Sequence, residues 1–151
     1  MPDAASLLPN TLVMGWNDSW FLGQGWHGVS QGPGKIPSRW CFGTAWVNIP
    51  PGQWSGLEFI LAGRHVEGVP VGLNVFLGDR KLGWAGAKGS DHLEVVQLEF
   101  ASIEASNQQL RLVCAFEKND DHSPAIFIPD QTLANRDYRE LGLSIAGLRF
   151  Y

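Results

Sequence analysis

Seven tryptophans, four histidines and fifteen carboxylates are the side chains in this 151-residue sequence with chemistry to offer. The histidines are His27, His65, His92 and His122. No two fall within four residues, so none pairs locally around a metal. Asn119-Asp120-Asp121-His122 gathers oxygen and nitrogen donors, but the twelve-residue calcium loop ending in Glu is absent. No metal and no cofactor is expected. Gly23-Gln24-Gly25-Trp26-His27-Gly28 spells G-x-G-x-x-G, which cradles phosphate only between a strand and a helix. Here a Gly/Pro stretch, 28–37, follows and reads as a surface loop. No serine stands in a G-x-S-x-G elbow, and no two of the scattered acids stand out as a glycosidase pair. The residues point away from an enzyme, though an accessory domain of one fits.

Tryptophan is the better lead. A flat indole stacks on the C–H face of a sugar ring while polar neighbours take its hydroxyls. Gly25-Trp26-His27-Gly28 sets Trp and His between glycines, where a loop would expose both. Trp40, Phe42 and Trp46 share one parity of an apolar run, as core residues would, and Trp84 ends a hairpin strand. Candidate ligand-binding residues are therefore Trp26, His27, Arg39, Trp84, Asp137 and Arg139. Arg139 has a second, architectural reading. Its guanidinium can pin the corner before Gly142 and the last strand. On this reading Trp26→Ala spares the fold and removes saccharide binding, whereas Trp46→Ala destabilises.

Such residues need a scaffold, and composition narrows it. Hydrophobic residues at 44% and charged residues at 17% exclude intrinsic disorder. Eighteen glycines and nine prolines exceed the average usage of about 12% and predict many short elements joined by turns. A formal charge of −4 without a basic run disfavours nucleic acid. No apolar stretch approaches the ~18 residues of a membrane span. Residues 1–10 lack the basic and long apolar segments of a secretory signal, so a cytoplasmic location is expected. Cys41 and Cys114 lie in apolar runs and read as reduced core residues.

Period-two alternation dominates the chain. Residues 40–47 read as one strand. Leu57, Phe59 and Leu61 form a second face, and Val71, Leu73, Val75 and Leu77 a third. Val96, Leu98 and Phe100, then Leu110, Leu112, Cys114 and Phe116, continue the pattern. In the last strand Leu143, Ile145 and Gly147 alternate with Ala146, Leu148 and Phe150. Leu77 to Leu82 reads as a hairpin. Residues 129–136 alone read as a helical turn. The fold expected is all-β: a two-sheet antiparallel β-sandwich of jelly-roll type. Residues 14–151 form its single domain, and residues 1–13 are an N-terminal extension or first edge strand.

Phe127-Ile128-Pro129, then the turn 130–136, then Asp137-Tyr138-Arg139-Glu140-Leu141-Gly142 and the strand 143–150 form a recognisable ending. It resembles the end of a β-sandwich module appended to bacterial glycosyltransferases and other cell-surface polysaccharide biosynthesis proteins. Gly25-Trp26-His27-Gly28 followed by Arg39-Trp40 is similar to that module's opening. Residues 74–83 resemble the hairpin of galactose-binding-like jelly rolls, with Leu77-Gly78-Asp79 in place of the usual Asn-Gly. The resemblance spans roughly residues 14–151. It implies a non-catalytic, carbohydrate-binding-like module whose partner is a saccharide or polysaccharide. The rival reading is an interaction module with no sugar site, which forms a homodimer or docks on a neighbouring catalytic domain through an apolar patch.

Overall fold

Leu57, Phe59 and Leu61 are buried while Glu58 and Ile60 between them are only half-buried, the signature of a strand with one dry face. The computed structural model describes residues 10–31, 35–64, 71–87, 93–115 and 143–151. In chain order the elements are β1 (Thr11–Val13), α1 (Asp18–Phe21), β2 (Trp26–Gln31), β3 (Pro37–Cys41), β4 (Thr44–Asn48) and β5 (Gly52–Arg64). There follow β6 (Val71–Leu77), β7 (Arg80–Ala87), β8 (Glu94–Ala105), β9 (Gln109–Ala115) and β10 (Leu143–Phe150). One sheet runs β2-β3-β10-β5-β8, with β1 also paired to β10. The other runs β4-β9-β6-β7. All pairings are antiparallel, and the two sheets enclose a core that includes Phe21, Leu57, Phe59, Leu73, Leu110, Leu112 and Phe150. This is the expected β-sandwich of jelly-roll type.

Local chemistry explains the connections. Gly78, with φ +59°, takes the first central position of the β6–β7 hairpin, as a type II′ turn requires. Asn17 secures the bend after β1: its Oδ1 accepts from the Val13 N–H at 2.7 Å, and its Nδ2 donates to the Thr11 carbonyl at 2.7 Å. On the solvent face Gln97, Glu58 and Arg149 stand side by side across β8, β5 and β10, and fix the register. The Gln97 amide and the Arg149 guanidinium hold the Glu58 carboxyl below the ordinary carboxylate range.

Several expectations are corrected. Residues 40–47 are not one strand. The chain leaves the first sheet after Cys41 and enters the second at Thr44, crossing at Phe42-Gly43. The inward residues there are the small ones, Cys41, Ala45 and Val47, while Trp40 and Trp46 are half-buried and Phe42 is exposed. Trp46 is therefore not a core residue. In β10, Ile145 and Leu148 both enter the core although their parities differ. The register against β5 shifts between Ser144 and Ile145 and again between Ile145 and Gly147, and such bulges change which side chains face inward. Part of the 28–37 stretch is strand, since β2 continues to Gln31. Thr11–Val13 pairs with β10 as a short strand. The single-turn α1 had no clear sequence signal, and the expected turn at 129–136 lies outside the described residues.

Phe59 is wholly buried in β5. Phe59→Ala is expected to cost about 3–5 kcal/mol in denaturant unfolding through lost transfer energy and the cavity left behind. Val95→Thr, at an exposed position of β8, should stay within about 0.5 kcal/mol.

Candidate functional site

β4 lies at the end of its sheet, and its free backbone edge is covered by residues 22–25. Leu22 bridges Val47; the Gly23 N–H donates to the Trp46 carbonyl at 2.9 Å; the Trp46 N–H donates to the Gln24 carbonyl at 2.9 Å. Gly25 holds φ +94°, and a Cβ there would collide with the Thr44 carbonyl and the Ala45 Cα. Gly25 thus serves close approach to β4 rather than a free loop. The next residue, Trp26, opens β2 and packs against the core, and its indole N–H donates to the same Trp46 carbonyl at 2.9 Å.

This edge carries a set of aromatic and polar side chains. On the outer face of β4 stand Trp46 and Asn48, directly opposite Arg111 and Gln109 of β9. Trp46, Gln24, Gly23 and Gln109 line a shallow cleft of about 360 Å³. A Cβ at Gly23 would come within 2.8 Å of Gln109 Nε2 and 3.0 Å of the Trp46 Cβ, so a larger residue there would displace the Gln109 amide. A second cleft, of about 230 Å³, is lined by Trp20, Asn48, Ile49, Pro51, Asn107 and Gln108. The two are stitched together: Gln109 Nε2 donates to Asn48 Oδ1 at 2.7 Å, and Asn48 Nδ2 donates to the Trp20 carbonyl at 2.7 Å. Trp20 is 49% exposed and rests edge-on against Phe21, ring centroids 4.8 Å apart. Asn107, at φ +60°, makes the β8–β9 turn that presents Gln108. Among the described residues, the polar side chains that line the two clefts beside the tryptophans are neutral amides, which donate and accept like a sugar hydroxyl.

Of the residues singled out in the sequence, the structure groups three. Arg39 Nη1 donates to the His27 carbonyl at 2.9 Å and Arg39 Nε to Asp18 Oδ2 at 2.7 Å, while the His27 ring lies 4.0 Å from that of Phe42. Burial pushes the Asp18 carboxyl up, but the Gly15 N–H, at 3.0 Å, and Arg39 outweigh it and hold the carboxyl below its ordinary 3.8. Trp26, His27 and Arg39 therefore adjoin one another around the β2–β3 pair, with Arg39 turned to structural bonds. Trp84 belongs to β7, on the same outer face as Trp46 but at the far edge of that sheet. Its indole adjoins Gly72 and Gly86, where a Cβ would come within 2.6 Å and 2.5 Å of its ring atoms. Asp137 and Arg139 lie outside the described residues, as do His65, His92 and His122. Sequence reading missed Trp20, Gln24, Asn48, Asn107, Gln108 and Gln109. Its one available signal was the Trp46-x-Asn48 spacing, which places both on a single strand face. Among the described residues no group of three His, Cys, Asp or Glu could hold a metal ion, and no helix is long and apolar enough to cross a membrane.

No family model and no curated protein sequence matches the chain. Solved structures do share its fold. The module CsCBM6-3 of Clostridium stercorarium, solved with cellobiose, superposes with a TM-score of 0.51 at 12% identity, covering 93% of this chain and 91% of that one. A family 6 carbohydrate-binding module of Clostridium cellulolyticum, solved with xylose, gives 0.55 at 8% identity, over 93% and 95%. A β-1,3-glucan-binding module of Bacillus halodurans gives 0.50 at 12% identity, over 93% of each.

The packing reverses the sequence expectation for two tryptophans. Trp26→Ala should cost about 2–4 kcal/mol, as a core contact and a hydrogen bond are lost. Trp46→Ala should cost less than about 1.5 kcal/mol, its ring lying on the outer face; chemical denaturation of both variants checks the order. Asp18→Asn should cost about 1–2 kcal/mol near neutrality, because the depressed carboxyl contributes stability only while ionised. That difference from wild type is complete above the ordinary carboxylate value and vanishes as the pH falls through the lower folded value. Unfolding curves across acid pH would show it.

Proposed function

We propose that the chain is a non-catalytic saccharide-binding module whose site is the Trp20–Trp46 edge. One observation carries this reading: two outward tryptophans flank a run of neutral amides, Gln24, Asn48, Asn107, Gln108 and Gln109. Indoles supply apolar faces for pyranose C–H groups, and the amides supply paired donors and acceptors for vicinal hydroxyls. None of the described lining side chains can transfer a proton near neutral pH, which favours binding over catalysis. Trp26 acts beneath the site by holding the Trp46 backbone, with His27 and Arg39 framing the neighbouring β2–β3 pair, and Trp84 offers a further indole across the same face. The fold is shared with modules solved with cellobiose and with xylose, so cello- and xylo-oligosaccharides are the first ligands to test. The finer reading, attachment to bacterial proteins that build cell-surface polysaccharide, is supported by the pattern from Phe127 to Gly142, to which Asp137 and Arg139 belong.

A protein partner is the second reading, favoured by a separate apolar surface. Trp16, Val29, Ile36 and Phe42 are exposed, and Val29 and Pro37 both approach Gly15, next to Trp16.

Calorimetric titration of the full chain with cello- and xylo-oligosaccharides should give weak, saturable binding. Trp46→Ala and Trp20→Ala should each weaken it roughly 5- to 150-fold, the worth of one stacked ring by analogy with base stacking, while leaving the melting temperature nearly unchanged. Binding that survives both substitutions would move the site elsewhere. A wild-type chain that ignores a broad neutral glycan panel and dimerises through Trp16 and Phe42 would favour the partner reading.

A further inference from the structure

We propose that Cys41 and Cys114 are a cross-linking site, closing as a disulfide that joins the two sheets of the sandwich. The two sulfurs lie 3.2 Å apart, and both residues are fully buried. A disulfide has its sulfurs about 2.05 Å apart, so each need move only about 0.6 Å. The backbones that carry them are already fixed on either side of that gap. Cys41 ends β3 in the first sheet, at the point where the chain crosses to β4; Cys114 lies in β9 of the second. The Cys114 N–H donates to the Gly43 carbonyl at 2.8 Å, and Thr44 pairs with Val113, so the crossing strand clamps β9 beside Cys41.

The reaction is thiol–disulfide exchange with a small disulfide oxidant such as oxidised glutathione. One protein thiolate attacks the oxidant and forms a mixed disulfide, releasing one small thiol. The second protein thiolate then attacks the protein sulfur of that bond and releases the other. Two protons leave the protein thiols, and two electrons pass to the oxidant. The Cys41 sulfur also accepts the Leu143 N–H at 3.4 Å. The close contact between the two sulfurs, aided by that N–H, pulls the Cys41 thiol down, whereas Cys114 is pushed up by the same contact and by burial. Because both are shielded from solvent once folded, the bond closes while the sandwich assembles. It ties residues separated by 73 positions, a long loop whose closure restricts the unfolded chain strongly. Both cysteines are free and buried in this structure, as the sequence led us to expect, and the bond would persist only in an oxidising compartment. It is independent of the saccharide reading.

The full chain is reduced, denatured, and refolded either with oxidised glutathione or with dithiothreitol. With glutathione the intact mass should fall by two hydrogens and the peptides bearing Cys41 and Cys114 should be joined. The melting temperature should rise by about 10 °C over the reduced form. A Cys41→Ala, Cys114→Ala double variant should melt alike under both conditions. Oxidatively refolded protein that keeps two titratable thiols on later unfolding would overturn the proposal, as would an oxidised form that melts no higher than the reduced one. Should the double variant fail to fold, mass and melting of the unsubstituted chain still decide.

Discussion

The Trp46 carbonyl accepts two donors at 2.9 Å, the Gly23 backbone N–H and the Trp26 indole N–H. The second comes from β2, in the opposite sheet, so this one oxygen ties the edge of the second sheet to the first. An unpaired edge strand is a hazard in any sandwich, because its free N–H and C=O groups invite pairing with another chain. Here residues 22–25 cover β4, and the indole closes the corner. Each bond contributes only about 0.5–1.5 kcal/mol net, but together they decide where Gln24 and the outer face of β4 sit. The candidate site is a consequence of that closure. Without it neither Gln24 nor Trp20 would be held beside Trp46 and Asn48.

The strands were legible because burial on one face forces alternation, as Leu57, Phe59 and Leu61 show. What alternation does not carry is phase. In residues 40–47 the bulkiest side chains occupy one parity and the small ones the other, so weight of hydrophobicity selects the wrong face. The constraint that decides is the space between two sheets. At the crossing it holds Cys41, Ala45 and Val47, and the indoles go outward. Gly25 misled in a similar way. A glycine beside a tryptophan suggests an exposed loop, yet its missing Cβ admits β4's backbone and thereby fixes Trp26 in a strand. In β10 the offset is made by bulges, which depend on the partner strand and leave no local mark in the sequence.

The site was less legible than the fold for a different reason. Its residues come from three separate stretches, 20–24, 46–51 and 107–109, and topology alone makes them neighbours. Asparagine and glutamine form no spacing motif, since hydrogen bonding by amides needs no shared proton or metal that would dictate one. Charged and aromatic residues attract notice in a sequence, and Arg39 drew it, but its guanidinium is committed to Asp18 and the His27 carbonyl. The quiet amides are the ones left facing solvent.

A surface that is already ordered spares any ligand the cost of organising it on binding. The amides of this site are braced against one another and against backbone: Gln109 on Asn48, Asn48 on the Trp20 carbonyl, and Trp46 by both its N–H and its carbonyl. β4 and β9 supply most of these groups, and β9 also carries Cys114, inward, five residues from Gln109. A bond from Cys114 to Cys41 would therefore anchor the floor of the site to the opposite sheet at the very crossing that delivers β4. The inner and outer faces of one strand would then serve a single purpose. The inner face fixes where β9 lies, and the outer face uses that fixed position to present an amide at constant distance from an indole.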